Sequence, residues 1–267
     1  PTGVMLGFEI SLNPFMACPA WREIADLPHV EKVARLSQPD FKARILAERQ
    51  EDHLMRSRVT QWDRIFPLGD PPDYEPAADK SVAARAACEG RSPEEVGFDM
   101  LLEGDGKAIL YRPLSNYSYG NLDTVADMMQ HPNSLVGLGD GGAHVGVLTD
   151  ASAITYMLTH WTRDRDRGAK FSLPWAVKRL TRDNATAIGL NDRGLLAVGK
   201  KADINVIDHD NLKIGAPEVL YDLPGGGKRM VQRTEGYDAT IVAGQIVYRK
   251  GVATNALPGR LVRGDRA

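Results

Sequence analysis

Ser134-Leu135-Val136-Gly137-Leu138-Gly139-Asp140-Gly141-Gly142-Ala143-His144-Val145 is the stretch on which the reading of this chain turns. Its apolar opening fits a strand buried on both faces. It then breaks on glycines that surround one carboxylate, Asp140. Glycine admits positive φ and lets other groups approach the backbone closely. The stretch therefore predicts a core strand that ends in an open loop, with Asp140 at the junction. In an α/β barrel, catalytic side chains project from the C-terminal ends of the strands. Taken alone, a plain strand-ending turn with Asp as its turn former has the stronger claim.

The segments upstream alternate in kind. Gly3–Leu12 reads as a mostly buried strand closed by Asn13-Pro14. Val30–Leu36 and Asp40–Arg56 read as helices, the second amphipathic with a solvated charged face. Ile65–Leu68 reads as a short strand and Gly69–Pro76 as a proline- and acid-rich loop. Helices follow over Ser81–Cys88 and Pro93–Leu102. Ser92-Pro93-Glu94-Glu95 starts the latter with a hydroxyl cap, an early proline and acid in the first turn. Ala108–Tyr111 is a strand, and Arg112–Asn121 a polar, aromatic loop at its C-terminal end. Asn116, Tyr117 and Tyr119 there either face a substrate or only decorate the loop. Asn121–Gln130 is a helix.

Downstream, Thr149–Trp161 reads as an apolar helix with Ile154, Met157, Leu158 and Trp161 on one face. Ser172–Arg182 follows as a helix capped by Ser172, then Asn184–Leu190. After Asp192 the pattern changes to short strands: Gly194–Val198, Ala202–Asp208, Met230–Arg233, Asp238–Val242 and Gln245–Arg249. Ala243-Gly244 makes a tight hairpin between the last two. Leu223–Lys228 is glycine-rich, but no helix follows, so it fails as a phosphate loop. The order predicts an α/β fold: the C-terminal part of a TIM-like (β/α) barrel with a small β-sandwich appended. The barrel part would cover residues 1–190, with a helical insertion around 30–105. The sandwich and tail would cover 191–267.

The composition is ordinary, with 267 residues, 25% charged residues and a net charge of −2. That balance points to neither nucleic acid nor an acidic membrane surface as partner. The apolar runs are too short to span a bilayer. Two cysteines, Cys18 and Cys88, lack metal-type spacing and fit a reducing, cytoplasmic compartment. Cys18 reads as an inert, half-buried thiol. The chain opens on Pro1 without an initiator methionine, and a strand starts at once. The expectation is the C-terminal part of a longer protein.

Two motifs then converge. Gly137-Leu138-Gly139-Asp140-Gly141-Gly142-Ala143-His144, followed by an apolar helix, resembles the last barrel strand of the metal-dependent amidohydrolases. Thr181–Leu190 with Gly194-Leu195-Leu196-Ala197-Val198-Gly199-Lys200-Lys201-Ala202-Asp203-Ile204 resembles that family's return from barrel to sandwich. The opening, Leu6-Gly7-Phe8 to Asn13-Pro14-Phe15, resembles the branch that contains N-acyl-D-amino-acid deacylases. The resemblance implies that Asp140 binds metal or takes the proton from a metal-bound water, with zinc as the expected ion. Gly141 and His144, just beyond, are the expected substrate-lining residues of that loop, together with Asn116 and Tyr117.

The implied reaction is hydrolysis of a non-peptide amide C–N bond in a small molecule, an N-acyl-D-amino acid or a related amide. The family's His-x-His pair is not in this chain. His29, His53, His131, His144, His160 and His209 form no i, i+2 or i, i+4 ligand pair. A catalytic zinc takes about three protein donors plus water, so the remaining ligands are expected from an N-terminal half of the same protein. A homo-oligomer is compatible with the sequence. The alternative is a catalytically incomplete fragment that serves as a structural or interaction module.

Overall fold

The computed structural model describes residues 3–48, 56–137 and 142–262. They form a mixed α/β structure that divides into two compact units. The first comprises Pro1–Val125, Gly141–Asp150 and Ala216–Gln232, the second Ala126–Asp140, Ala151–Gly215 and Arg233–Ala267. The chain runs β1 (Gly3–Leu6), α1 (Pro19–Ile24), α2 (His29–Leu36), α3 (Pro39–Ala47), α4 (Arg56–Val59), β2 (Phe66–Pro67), α5 (Val82–Glu89), α6 (Pro93–Gly106), β3 (Leu110–Pro113) and α7 (Asp123–Gln130). Then come α8 (Ala153–Thr159), α9 (Leu173–Leu180), α10 (Arg182–Ala187), β4 (Ile204–Ile207), β5 (Lys213–Leu223), β6 (Gly227–Glu235), β7 (Tyr237–Val242), β8 (Gln245–Arg249) and β9 (Val252–Ala253).

In the first unit, β1, β3 and β2 form a three-stranded antiparallel sheet in that order. Leu6 lies opposite Leu110, and Phe66 opposite Tyr111. Phe8, Phe15, Trp21, Trp62 and Phe98 fill the core beside it, with Phe98 edge-on to Phe8 and Phe15 at 5.4 and 5.2 Å. Gly97 makes room for this cluster, because a Cβ there would fall 2.4 Å from the Trp62 ring. Removing a ring of this kind costs about 3–5 kcal/mol. Ser81 and Ser92 cap α5 and α6, their hydroxyls accepting from the amides of Ala84 and Glu95, both at 3.2 Å. The cap at Ser92 is the one its sequence predicts.

The second unit packs α8 to α10 around a run of rings. Tyr156 stacks on His160 at 4.4 Å, and Phe171 lies 5.7 Å from Trp161 and 4.1 Å from Trp175. Ser172 caps α9 as expected, accepting from the Trp175 amide at 3.4 Å. Its sheet has the order β4-β7-β8-β9, and all its pairings are antiparallel. Ala243 and Gly244, both at positive φ (48° and 79°), turn β7 into β8 as expected. β5 and β6, most of whose residues (Ala216–Gln232) belong to the first unit, pair as a ribbon with the Leu223–Lys228 glycines at its tip.

Several expectations need correction. The sequence predicts parallel barrel strands, yet every described register is antiparallel and no closed barrel forms among the described residues. Gly3–Leu12 is a strand only to Leu6, because Gly7–Leu12 fold back, the Gly7 amide reaching the Leu12 carbonyl at 2.9 Å. Residues 134–137 are irregular, and Leu135 is 53% exposed. A short apolar run cannot by itself distinguish a strand from a tethered loop. Gly194–Val198 is irregular and not a strand. The Thr149–Trp161 helix is broken into a 3-10 turn at Asp150–Ser152, α8, and a π-helical turn at His160–Asp164. Ile154 is 44% exposed, so it is not on the buried face that Met157, Leu158 and Trp161 share. His53 lies outside the described residues. No described helix is long and apolar enough to cross a membrane.

Candidate active site

Asp140 and Gly141 lie outside the described residues. What the structure describes is how each flank of their loop is held. On the upstream side, within the second unit, α9 and α10 supply the grip. Arg179 donates to the carbonyls of Met129 and Ser134 at 2.9 and 2.6 Å. Asn184 donates to the Val136 carbonyl at 2.8 Å. These side chains satisfy backbone acceptors that a strand ladder would otherwise have taken.

On the downstream side, within the first unit, Gly142 and His144 take positive φ (99° and 52°). His144 opens a turn: its carbonyl accepts from the amides of Val147 and Leu148 at 2.9 and 3.1 Å. Its side chain is exposed. Three backbone bonds tie the turn down. Met5 donates to Val147 at 3.0 Å, Ser11 to Gly146 at 3.3 Å, and Met230 to Val145 at 2.7 Å. Gly146 fits tightly there, since a Cβ would come 2.6 Å from Ser11 Oγ.

The loop after β3 is anchored too. Asn116 is exposed at φ 69°. Tyr117 is buried, and its hydroxyl donates to the Pro76 carbonyl at 2.6 Å. Leu122 donates to Glu75 Oε1 at 2.8 Å, closing the loop at its far end. The structure thus leaves Asn116 and His144 accessible and turns Tyr117 inward.

Tyr74, Gln232 and Thr149 form a polar cluster that no local sequence signal announces. Tyr74, from the proline-rich loop, is buried, and its ring meets Tyr111 edge-on at 5.4 Å. Burial pushes its hydroxyl up to about 12, so it stays protonated at neutral pH. Gln232 Nε2 donates to it at 2.8 Å, and Thr149 Oγ1 donates to Gln232 Oε1 at 3.3 Å. Arg112, also buried, donates to the Pro113 carbonyl and to Gln61 Oε1. Composition marked Tyr74 only as a loop residue, and nothing local links it to Gln232, 158 positions away.

The other described histidines are accounted for structurally. His29 Nε2 meets the Asp105 carbonyl at 3.0 Å, His209 lies against Thr162 and Leu158, and His160 stacks on Tyr156. His131, just past α7, accepts the Asn133 amide at 3.2 Å. Among the described residues, no group of three or more His, Cys, Asp or Glu side chains converges to hold a metal ion. These residues alone do not fit one.

No protein of curated function is significantly similar in sequence. Three solved structures of D-aminoacylase match part of this chain. A point variant with copper chloride and a form described by its binuclear metal centre are each 18% identical, and the structure said to define a novel subset of amidohydrolases is 19% identical. Each match has a TM-score of 0.42 and covers 85% of this chain but 44% of the solved one. The chain thus spans less than half the length of the structures it matches. The sequence pattern of the amidohydrolase family matches residues 2–248, nearly the whole chain, and the chain belongs to that family.

Proposed function

We propose that this chain contributes the Asp140 carboxylate to a metal-dependent amidohydrolase that cleaves an amide C–N bond in a small molecule. The observation that carries the proposal is the family match over residues 2–248, which includes the Asp140 loop. Asp140 accepts a proton from the attacking water as the C–O bond forms. It returns that proton to the departing amine nitrogen as the C–N bond breaks. The described residues do not make a metal site, so the expected zinc would depend on Asp140 and on donors outside them.

Gly141, His144 and Asn116 make up the proposed substrate-facing set; Tyr117, expected there from the sequence, is buried. Exposure of His144 and Asn116 supports direct contact. Tyr117 acts from beneath, holding its loop through Pro76. N-acyl-D-amino acids are the proposed substrate class, on the resemblance of the opening Leu6–Phe15 stretch to their deacylases. The proposed architecture makes residues 1–190, with a helical insertion around 30–105, the C-terminal part of a TIM-like barrel. Residues 191–267 contribute a small β-sandwich, a reading supported by the antiparallel β4-β7-β8-β9 sheet.

The test is an assay of the intact protein on paired D- and L-N-acyl amino acids, with its metal content measured alongside. Asp140→Asn is expected to abolish turnover and leave thermal unfolding unchanged. Turnover close to wild type in that variant overturns the proposal. An intact protein that binds no metal and hydrolyses no amide favours a structural module instead.

A further inference from the structure

We infer that Gln232 is a positioning residue: it fixes the segment that follows Asp140, and with it His144, by joining Thr149 to the buried Tyr74. The inference rests on the proposed amidohydrolase reading only in its kinetic arm.

The geometry is a two-point grip by one strand. Met230, on β6, donates its amide to the Val145 carbonyl at 2.7 Å. Two residues on, the Gln232 side chain reaches Thr149, with Oε1 accepting from Oγ1 at 3.3 Å. Between those points lies the turn that His144 opens at φ 52°. The backbone bond at Met230 forms whatever side chain stands there. The Thr149 hydroxyl bonds the amide of Gln232 and also meets the Tyr74 hydroxyl, so Gln232 supplies one of its two tethers to that cluster.

An amide suits the place. It donates and accepts at once, so it can hold two hydroxyls together. Gln232 Nε2 donates to Tyr74 Oη at 2.8 Å, and its Oε1 accepts from Thr149 Oγ1 at 3.3 Å and lies 3.1 Å from Tyr74 Oη, which donates to it when its proton turns that way. Tyr74 is itself immobile: it is 2% exposed and packs edge-on to Tyr111 on β3. The chain of contacts runs from sheet strand to tyrosine, to amide, to threonine, and so to the segment. A left-handed residue such as His144 needs this kind of support, because a non-glycine residue at positive φ is held there by its surroundings.

The variants are Gln232→Leu, Thr149→Val and Thr149→Ser in the intact protein. Hydrogen exchange at the Val147 and Leu148 amides, both bonded to the His144 carbonyl, is the first readout. Exchange is expected to rise about tenfold in Gln232→Leu and Thr149→Val and to stay at the wild-type rate in Thr149→Ser, which keeps the hydroxyl. The second readout is kinetic. With an N-acyl-D-amino acid substrate, kcat is expected to fall about tenfold in the same two variants at unchanged KM, and to recover in Thr149→Ser. Should Gln232→Leu fail to fold, Gln232→Glu, which loses the donor to Tyr74, takes its place with the same expected rise in exchange. Wild-type exchange in the Gln232 variant or in Thr149→Val, or Ser behaving like Val, overturns the inference. A wild-type protein without amidase activity counts against the proposed function alone, because the exchange arm still tests Gln232.

Discussion

Arg179 donates through one guanidinium nitrogen to the Ser134 carbonyl at 2.6 Å and to the Ser134 hydroxyl at 3.0 Å. The same nitrogen reaches the Met129 carbonyl at 2.9 Å, and its neighbour reaches Asp183 at 3.3 Å. Arg179 is 9% exposed. Asp183 pairs its charge and the Met129 and Ser134 acceptors take further protons, while its Nε is buried without a partner; pairing with a carboxylate is the condition under which a buried arginine stabilises a fold. What it stabilises is the approach to the Asp140 loop.

Arg179→Met is expected to lower stability by roughly 2–4 kcal/mol, since it leaves buried carbonyls and Asp183 without their donor. Arg179→Lys is expected to recover only a small part, because an ammonium lacks the planar fork that meets several acceptors together. Urea unfolding of the three proteins measures both effects. A loss below about 0.5 kcal/mol for Arg179→Met would place the interaction among ordinary surface pairs.

The sequence was legible where chemistry is local. Ser92-Pro93 names its own cap, Ser172 likewise, and Ala243-Gly244 names a turn by the φ values it permits. Family membership was legible because it rests on ordered motifs. Strand pairing was not, since direction and register depend on partners far along the chain. β5 carries Gly215, Ala216 and Pro217 in its middle, residues of low strand propensity, and its pairing with β6 overrides them. The error at 134–137 has the same origin. Nothing within Ser134-Leu135-Val136-Gly137 announces that Arg179 and Asn184 will take up its carbonyls.

The two thiols should react very differently. Cys18 is buried, and desolvation, helped by the nearby Glu48 charge, pushes it up to about 11. Cys88 is exposed. At about pH 8 the thiolate fraction of Cys18 is negligible, so a disulfide reagent is expected to titrate one thiol quickly and the second only on unfolding. Cys88→Ser should remove the fast phase. Rapid modification of Cys18 in that variant would show that the core around α1 opens in the native state.

Asp99 should give the fold an acid-sensitive component. Burial alone would raise its pKa, but hydrogen bonds and charge from Lys42 and Arg91 outweigh burial and hold the carboxyl below its ordinary value of 3.8. A group depressed on folding adds stability above its unfolded pKa and loses it as pH falls through the folded one. The urea midpoint is therefore expected to drop as pH goes below the ordinary value, with a shallower drop in Asp99→Asn. Equal slopes in the two proteins would assign the acid sensitivity to other carboxylates, such as Asp183, which Lys178 and Arg179 depress in the same way.

Arg112 is the counter-case to Arg179. It is 6% exposed, yet its described acceptors are neutral: the Pro113 carbonyl and Gln61 Oε1, the latter at 2.8 Å. Its Nε is buried without a hydrogen-bond partner, as is that of Arg179, so the difference between the two among the described residues is the Asp183 carboxylate that Arg179 meets. Burial lowers its pKa first, and the like charges of Arg64 and Arg58 lower it further against the partial offset of Asp63. Desolvating a guanidinium is expensive, and attraction repays the cost only when a carboxylate or a full set of acceptors is present. Here neither is complete. Arg112→Met keeps the apolar stem that packs in β3 and removes the charge, so stability is expected to stay within about 1 kcal/mol of wild type or to rise. The same substitution at Arg179 is expected to cost several times more. Measured side by side, the two variants separate burial from pairing as the source of an arginine's value. A large loss at Arg112 would mean that it meets an acceptor outside the described residues.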